Sequence, residues 1–308
     1  MNILILQISA LGDIIYTLYN IKKLYYSLDK PNIDWIVKKK NEILENQKEI
    51  NKVLLLKDNI ENKYDIIIDF GTKRETLYTK FNLTGKKFGF KSEKKHYVSW
   101  FNDYNANFNS NISVVKNQEN LLKFICNLYK NPFKIDYNSK IDYTENITKK
   151  IRDYIEINNL KSKKIILINP NASRRTKEIP SDILIDFIIN LDKNIYNIIL
   201  IGEKFGETAS HISKSVKDSE GCYILPKYLD NLYSLGYLIN YSDVLITPDT
   251  SILHLGEFQK KNVIGYYLGK NCNTKFMSWG NLGNKKFQLD DIKNCSQETF
   301  LNYIELII

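Results

Sequence analysis

The chain has 308 residues, 43% of them hydrophobic and 26% charged, with a formal net charge of +9. That length accommodates two α/β domains, each with its own core, and the composition is that of an ordinary globular protein. No apolar run reaches the roughly 18–20 residues that span a bilayer, which excludes a transmembrane helix.

The N-terminus, MNILILQISALGD, has no basic region and no small-residue cleavage site, so it does not read as a signal peptide. Cys126, Cys222, Cys272 and Cys295 are scattered, without the spacing of a zinc site or a disulfide framework. Reduced thiols and a cytoplasmic location are the expectation. Charge is uneven. Residues 1–156 hold 26 Lys and Arg against 19 Asp and Glu, a net of +7; residues 157–308 hold 18 against 16, a net of +2. A basic half suggests an anionic partner: a membrane surface, a phosphorylated glycolipid or nucleic acid. No nucleic-acid-binding motif is present, so nucleic acid is not expected.

The chain alternates β-branched runs with amphipathic stretches, the pattern of parallel α/β domains. Ile3–Ile8 reads as a strand and Ile14–Leu28 as a helix with Ile14, Leu18, Ile21 and Leu28 on one face. Asp34–Val37, Lys52–Leu56 and Asp65–Phe70 read as strands. Residues 102–118 are polar and Asn-rich and read as loop; Glu119–Tyr129 and Asn146–Ile157 read as helices. A boundary is expected near residue 158, where Asn158, Asn159 and a Lys-rich stretch break the pattern, giving domains 1–157 and 158–295. The second half starts over with strand Lys164–Asn169. Helices Ser181–Leu191, Glu207–Val216, Leu229–Asn240 and Ile252–Phe258 then alternate with strands Asn197–Gly202, Asp243–Thr247 and Asn262–Tyr267. Residues 296–308 close the chain as an amphipathic helix.

Three loops can carry chemistry, because ligands of open parallel sheets bind beyond the carboxyl ends of strands. The first is Ser9-Ala10-Leu11-Gly12-Asp13, whose single glycine sets it apart from a dinucleotide-binding loop. Asp13 there is either a helix N-cap or a reactive carboxylate. The second, Asn169 to Lys177, offers small residues and the donors Ser173, Thr176 and Lys177 to a phosphate, or is a basic surface turn. The third, Pro248 to His254, opens a helix whose first-turn amides and dipole favour a pyrophosphate, unless Asp249 or Thr250 only caps it. His254 alone also fits a partly buried structural histidine.

Together these segments resemble glycosyltransferase family 9, the bacterial lipopolysaccharide heptosyltransferases. ILILQISALGDIIYTL resembles the family's opening strand, Ser-x-x-Gly-Asp loop and helix. YDIIIDFGTKRETL followed by KKFGF resembles a second segment. INPNASRRTKEIP, LITPDTSILHLGEF and VIGYYLGKN resemble the remaining ones, in the family's order. Ile179 stands where the family usually has Trp, and Ser251 where it usually has Gly.

The resemblance implies a GT-B architecture: two Rossmann-like domains facing across a cleft, the first for acceptor and the second for nucleotide sugar. It implies a C-terminal helix returning towards the first domain, and inversion without metal or other cofactor. It implies ADP-heptose as donor and a lipopolysaccharide or lipooligosaccharide core as acceptor, at the cytoplasmic face of the inner membrane with peripheral contact. In that reading Asp13 is the general base. Ser173, Thr176, Lys177, Glu207, Asp249, Thr250, Ser251 and His254 bind donor; Ser9, Gly12, Lys73, Arg74, Lys86 and Lys87 bind acceptor. Glu207 contacts ribose or caps its helix. The alternatives are transfer of a hexose or N-acetylhexosamine on the same scaffold, a UDP-sugar epimerase of this fold, and a non-catalytic binder of anionic glycan.

Overall fold

The computed structural model describes residues 1–58, 60, 63–71, 75–91, 99, 101–109, 111–134, 139–202, 206–266, 286–289 and 296–307. These form two units that meet in the chain between Asp142 and Tyr143.

The first unit is built on strands β1 (Asn2–Leu6), β2 (Asn32–Val37), β3 (Lys52–Leu55), β4 (Lys63–Asp69), β5 (Thr84–Lys91) and β6 (Tyr104–Asn107). They pair in parallel in the order β3-β2-β1-β4-β5-β6. Parallel strands covered on both faces need continuous apolar runs, and Ile3–Leu6 and Ile66–Ile68 are wholly inside. Helices α1 (Leu11–Ser27), α2 (Glu42–Glu45) and α3 (Glu75–Asn82) connect strands of this sheet, and α4 (Val114–Leu128) follows β6. The expected single apolar face of α1 is exceeded, because α4 covers its outer side. The buried Asn20 amide therefore donates to the Val115 carbonyl at 3.0 Å, and Gln118 donates to the Thr17 hydroxyl at 2.9 Å.

The second unit repeats the plan. Strands β7 (Lys164–Ile168), β8 (Tyr196–Leu200), β9 (Cys222–Ile224), β10 (Val244–Pro248), β11 (Asn262–Tyr266) and β12 (Lys286–Leu289) run parallel in the order β12-β11-β10-β7-β8-β9. Its helices are α5 (Glu145–Ile157), α6 (Ser181–Asn190), α7 (Glu207–Val216), α8 (Leu232–Leu238), α9 (Ser251–Phe258) and α10 (Gln297–Ile307). Numbered within each half, both sheets have the Rossmann order 3-2-1-4-5-6. Each reverses direction once, between β1 and β4 and between β7 and β10. Ligand crevices of such sheets open at that reversal.

Several expectations are corrected. Residues 102–118 are not all loop: they hold β6 and the start of α4, whose N-cap is Ser113. Asn262–Tyr266 is not the last strand, since β12 joins its far side. The boundary falls at 142/143, not near 158. On one side Asp142 is held by the Gln47 side chain through both backbone groups and by the buried Lys22 at 2.9 Å. On the other side Tyr143 packs against Tyr233 and Tyr237, each at 5.2 Å between ring centroids. Helix α5 thus belongs to the second unit, against α8, through Ile151, Tyr154 and Ile155. The closing helix packs on α6 of the same unit, with Phe300 against Phe187 at 5.5 Å and Ile304 in the same core.

Candidate functional site

At the reversal of the first sheet, α1 starts just beyond β1. Its N-cap is Ala10, whose side chain cannot cap, and Asp13 is the third helical residue. The reading of Asp13 as N-cap is therefore corrected: it lies inside the first turn, where the positive end of the helix dipole favours a carboxylate. Ser9 and Gly12, both half-buried, flank it. Gly12 is the second residue of the helix.

Beside β1, in register with Leu6, Asp69 ends β4. Its carboxylate is almost fully buried. It accepts from the Gly71 amide at 3.0 Å and the Thr76 hydroxyl at 3.2 Å, and it pairs with Lys80 at 2.8 Å. Burial outweighs these partners and pushes the carboxyl up to about 6. Lys80 also donates to Asn102, ahead of β6. This network ties together the connections leaving β4 and entering β6. The sequence reading did not find it.

Lys73 and Arg74 lie outside the described residues. Lys86 and Lys87, expected in or after the loop beyond β4, sit after it, within β5. They lie alongside Ile66 and Ile67, short of the Asp69–Gly89 pair at the carboxyl edge. Lys86 lies over the Tyr129 ring at 5.7 Å, and the Lys87 amide donates to Asp103.

At the reversal of the second sheet, the loop after β7 and the loop after β10 are joined by Lys177 and Asp249 at 3.2 Å, both half-buried. Beneath them the buried Asn169 amide donates to the Thr247 hydroxyl at 2.9 Å. Thr250 occupies the N-cap of α9, yet its hydroxyl meets Thr247 at 3.3 Å and makes no capping bond. Neither candidate cap thus closes the start of α9: Thr250 faces Thr247 and Asp249 faces Lys177. Ser251 is the first helical residue and is half-buried, while His254 is buried within α9.

Ser173 and Thr176 are exposed, Thr176 within a 3-10 turn over Arg175–Lys177. Glu207 is the first residue of α7, after the N-cap Gly206, and is solvent-exposed with Arg175 at 3.4 Å. Two organising residues escaped the sequence reading. Asn171 donates to the Gly202 carbonyl at 2.7 Å and accepts from the Ala209 amide. It lies so close to Gly206 that any side chain there would strike it. Gly202, at φ +86, presents its amide to the buried Asp230 carboxylate. Among the described residues no cluster of His, Cys, Asp and Glu is arranged to hold a metal ion.

The family model of glycosyltransferase family 9 (heptosyltransferase) matches residues 53–299. The chain belongs to glycosyltransferase family 9. It is a glycosyltransferase of GT-B type, and solved members of the family share its fold over nearly the whole chain. A family 9 glycosyltransferase from Veillonella parvula matches at TM-score 0.78 and 14% identity, covering 99% of this chain and 96% of that one. The E. coli heptosyltransferase WaaC with ADP matches at TM-score 0.75 and 15% identity, covering all of both chains. The E. coli ADP-heptose lps heptosyltransferase II matches at TM-score 0.76 and 14% identity, covering 100% of this chain and 98% of that one. No curated protein sequence matches. Among the described residues no helix is long and apolar enough to cross a membrane.

Proposed function

We propose that this glycosyltransferase transfers heptose from ADP-heptose, with inversion, to a lipopolysaccharide or lipooligosaccharide core or a related anionic glycan. The observation that carries the reading is Asp13 in the first turn of α1, at the reversal of the first sheet. The acceptor hydroxyl is a poor nucleophile until a base takes its proton. Asp13 accepts that proton as the hydroxyl oxygen attacks the anomeric carbon and the bond to the diphosphate breaks. A single displacement inverts the anomeric centre. Ser9 and Gly12 line the acceptor's approach.

The leaving diphosphate needs positive charge. The start of α9 at Thr250 and Ser251 offers backbone N–H groups, with Ser173 and Thr176 as further donors. Lys177 exchanges Asp249 for phosphate when donor binds, while Asn169 and Thr247 hold the loop from below. Glu207, exposed at the start of α7, is assigned to the ribose. The WaaC structure holds ADP, which supports an adenine nucleotide here.

A thermal-shift panel of ADP, UDP, GDP and CDP tests the donor. ADP alone is expected to raise the melting temperature. Selective stabilisation by UDP would replace this reading with a UDP-sugar enzyme, a transferase of hexose or N-acetylhexosamine or an epimerase.

Lys177→Ala should weaken ADP binding by about 1.5–3 kcal/mol, the worth of a charge-assisted hydrogen bond to phosphate. Its half-exposed pair with Asp249 adds little to folding, so the melting temperature should stay near wild type. Calorimetry on the folded variant checks this, and unchanged ADP affinity would remove Lys177 from the donor site.

A further inference from the structure

The exposed large hydrophobic residues of the first unit are concentrated at one end of its sheet. Apart from Met1, all of those described fall between residues 78 and 128. Tyr78 is 78% exposed and Phe81 67%, both on α3. Phe101, Tyr104 and Phe108 flank or occupy the edge strand β6, and Phe124 lies on α4. Their rings meet in three separate groups along this margin. Phe81 meets Phe101 edge-on at 5.5 Å, and Tyr104 meets Phe124 at 5.8 Å. Tyr104 stacks at 5.0 Å on the buried Phe88. Phe108 sets its ring on Phe90 at 5.7 Å. An exposed apolar patch of this kind marks an interaction surface, whereas singly scattered residues do not.

Charge identifies the partner. Residues 75–134 hold ten Lys and no Arg against four Asp and Glu; leaving out Lys80, buried against Asp69, nine Lys against four acids still give the segment +5. Its acids are largely engaged. Glu119 takes Lys116 at 2.8 Å and Lys123 at 2.7 Å, and Glu75 takes Lys38 at 3.0 Å. Lys86, Lys91 and Lys130 are exposed on β5 and just after α4. Lysines around exposed Phe and Tyr suit the headgroup region of an anionic bilayer, where rings enter the interface and ammonium groups meet lipid phosphate. A second copy would bring the same positive charge against this edge.

We propose that the β6 edge, with the exposed rings of α3, α4 and residues 101–108, is the surface by which this protein docks on an anionic membrane. This deepens the proposed transfer to a core glycolipid and rests on that reading.

The test uses the full chain and vesicles, without nucleotide sugar or acceptor. Wild type should sediment with phosphatidylcholine vesicles containing about one third phosphatidylglycerol, and much less with phosphatidylcholine alone or at high salt. The triple variant Phe81→Ser, Phe108→Ser, Phe124→Ser should bind anionic vesicles about tenfold more weakly or worse. Phe81 is 67% exposed, but Phe108 and Phe124 are 46% and 42% exposed and touch neighbouring rings, so the variant should stay folded with its melting temperature lowered by a few degrees, and turn over a soluble, delipidated acceptor at the wild-type rate. Wild-type binding by the triple variant would overturn the assignment, as would no anionic-vesicle binding by the parent. A dimer of the parent that the variant dissolves would give the edge to a second copy instead. Failure of the transferase reading shows separately, as lost turnover with intact vesicle binding.

Discussion

Lys80→Met should destabilise the protein by about 3–5 kcal/mol at neutral pH, the cost of removing one partner from a buried ion pair. Both side chains are inside, at 0% and 1% exposure, and 2.8 Å apart. The cost comes from what stays behind. Asp69 would keep its bonds from Gly71 and Thr76 but lose the only cation facing it among the described residues, in a site that already pushes its carboxyl up to about 6. Asn102 would lose the ammonium donor as well.

The pH dependence has a definite sign. A carboxyl raised above its unfolded value binds its proton more readily in the native state. Its contribution to stability is fully present below the unfolded value of about 3.9, and it is lost as pH rises through about 6. Without Lys80 the native carboxyl rises further, so the deficit of Lys80→Met should shrink between pH 7 and pH 5. Urea unfolding at both values measures it. Adding Asp69→Leu should restore much of the loss, since removing both charges leaves no buried ion unpaired. A single variant as stable as wild type at pH 7 would show that Asp69 is protonated or hydrated in the native protein.

That pair also shows where the sequence stops being legible. The central strands were readable because a strand buried on both faces must be apolar throughout, as in Ile3–Leu6, Ile66–Ile68 and Ile165–Ile168. The loops after β1, β7 and β10 were readable because small residues, Asp and Lys cluster after those runs. The strands towards the β6 edge were not. YNAN in β6 is polar because one side of an edge strand faces water, and its neighbour β5 starts with Thr-Gly-Lys-Lys, which reads as a turn. Asp69 reads as the end of a strand, and Lys80 as one lysine among many. Only the return of α3 over the sheet brings them together. The boundary was missed for a related reason. Asn158 and Asn159 do end a helix, but α5 is already anchored to α8 by Ile151, Tyr154 and Ile155.

Asp13→Asn should lower turnover by about 10²–10⁴-fold while leaving the fold and nucleotide binding near wild type. An acceptor hydroxyl loses its proton only as it attacks, and an amide cannot take that proton. Asn keeps the size and one oxygen of Asp, so contacts that depend on shape survive. Folding should be little affected, because the N-cap of α1 is Ala10 and α1 is anchored by Ile14, Ile15, Leu18 and Ile21 in the core. The lost charge–dipole interaction at a helix start is worth about 0.3–1 kcal/mol, far below the catalytic effect. Nucleotide binding should be intact, because the proposed donor groups Lys177, Thr250 and Ser251 all belong to the second unit. Turnover is measured with the donor that the thermal-shift panel selects, and folding by melting temperature. Turnover at the wild-type rate would sink the general-base assignment. A variant with its melting temperature lowered by many degrees would instead give Asp13 a structural role at the start of α1. Loss of turnover with an unchanged melting temperature and unchanged ADP affinity is the combination that a base alone produces.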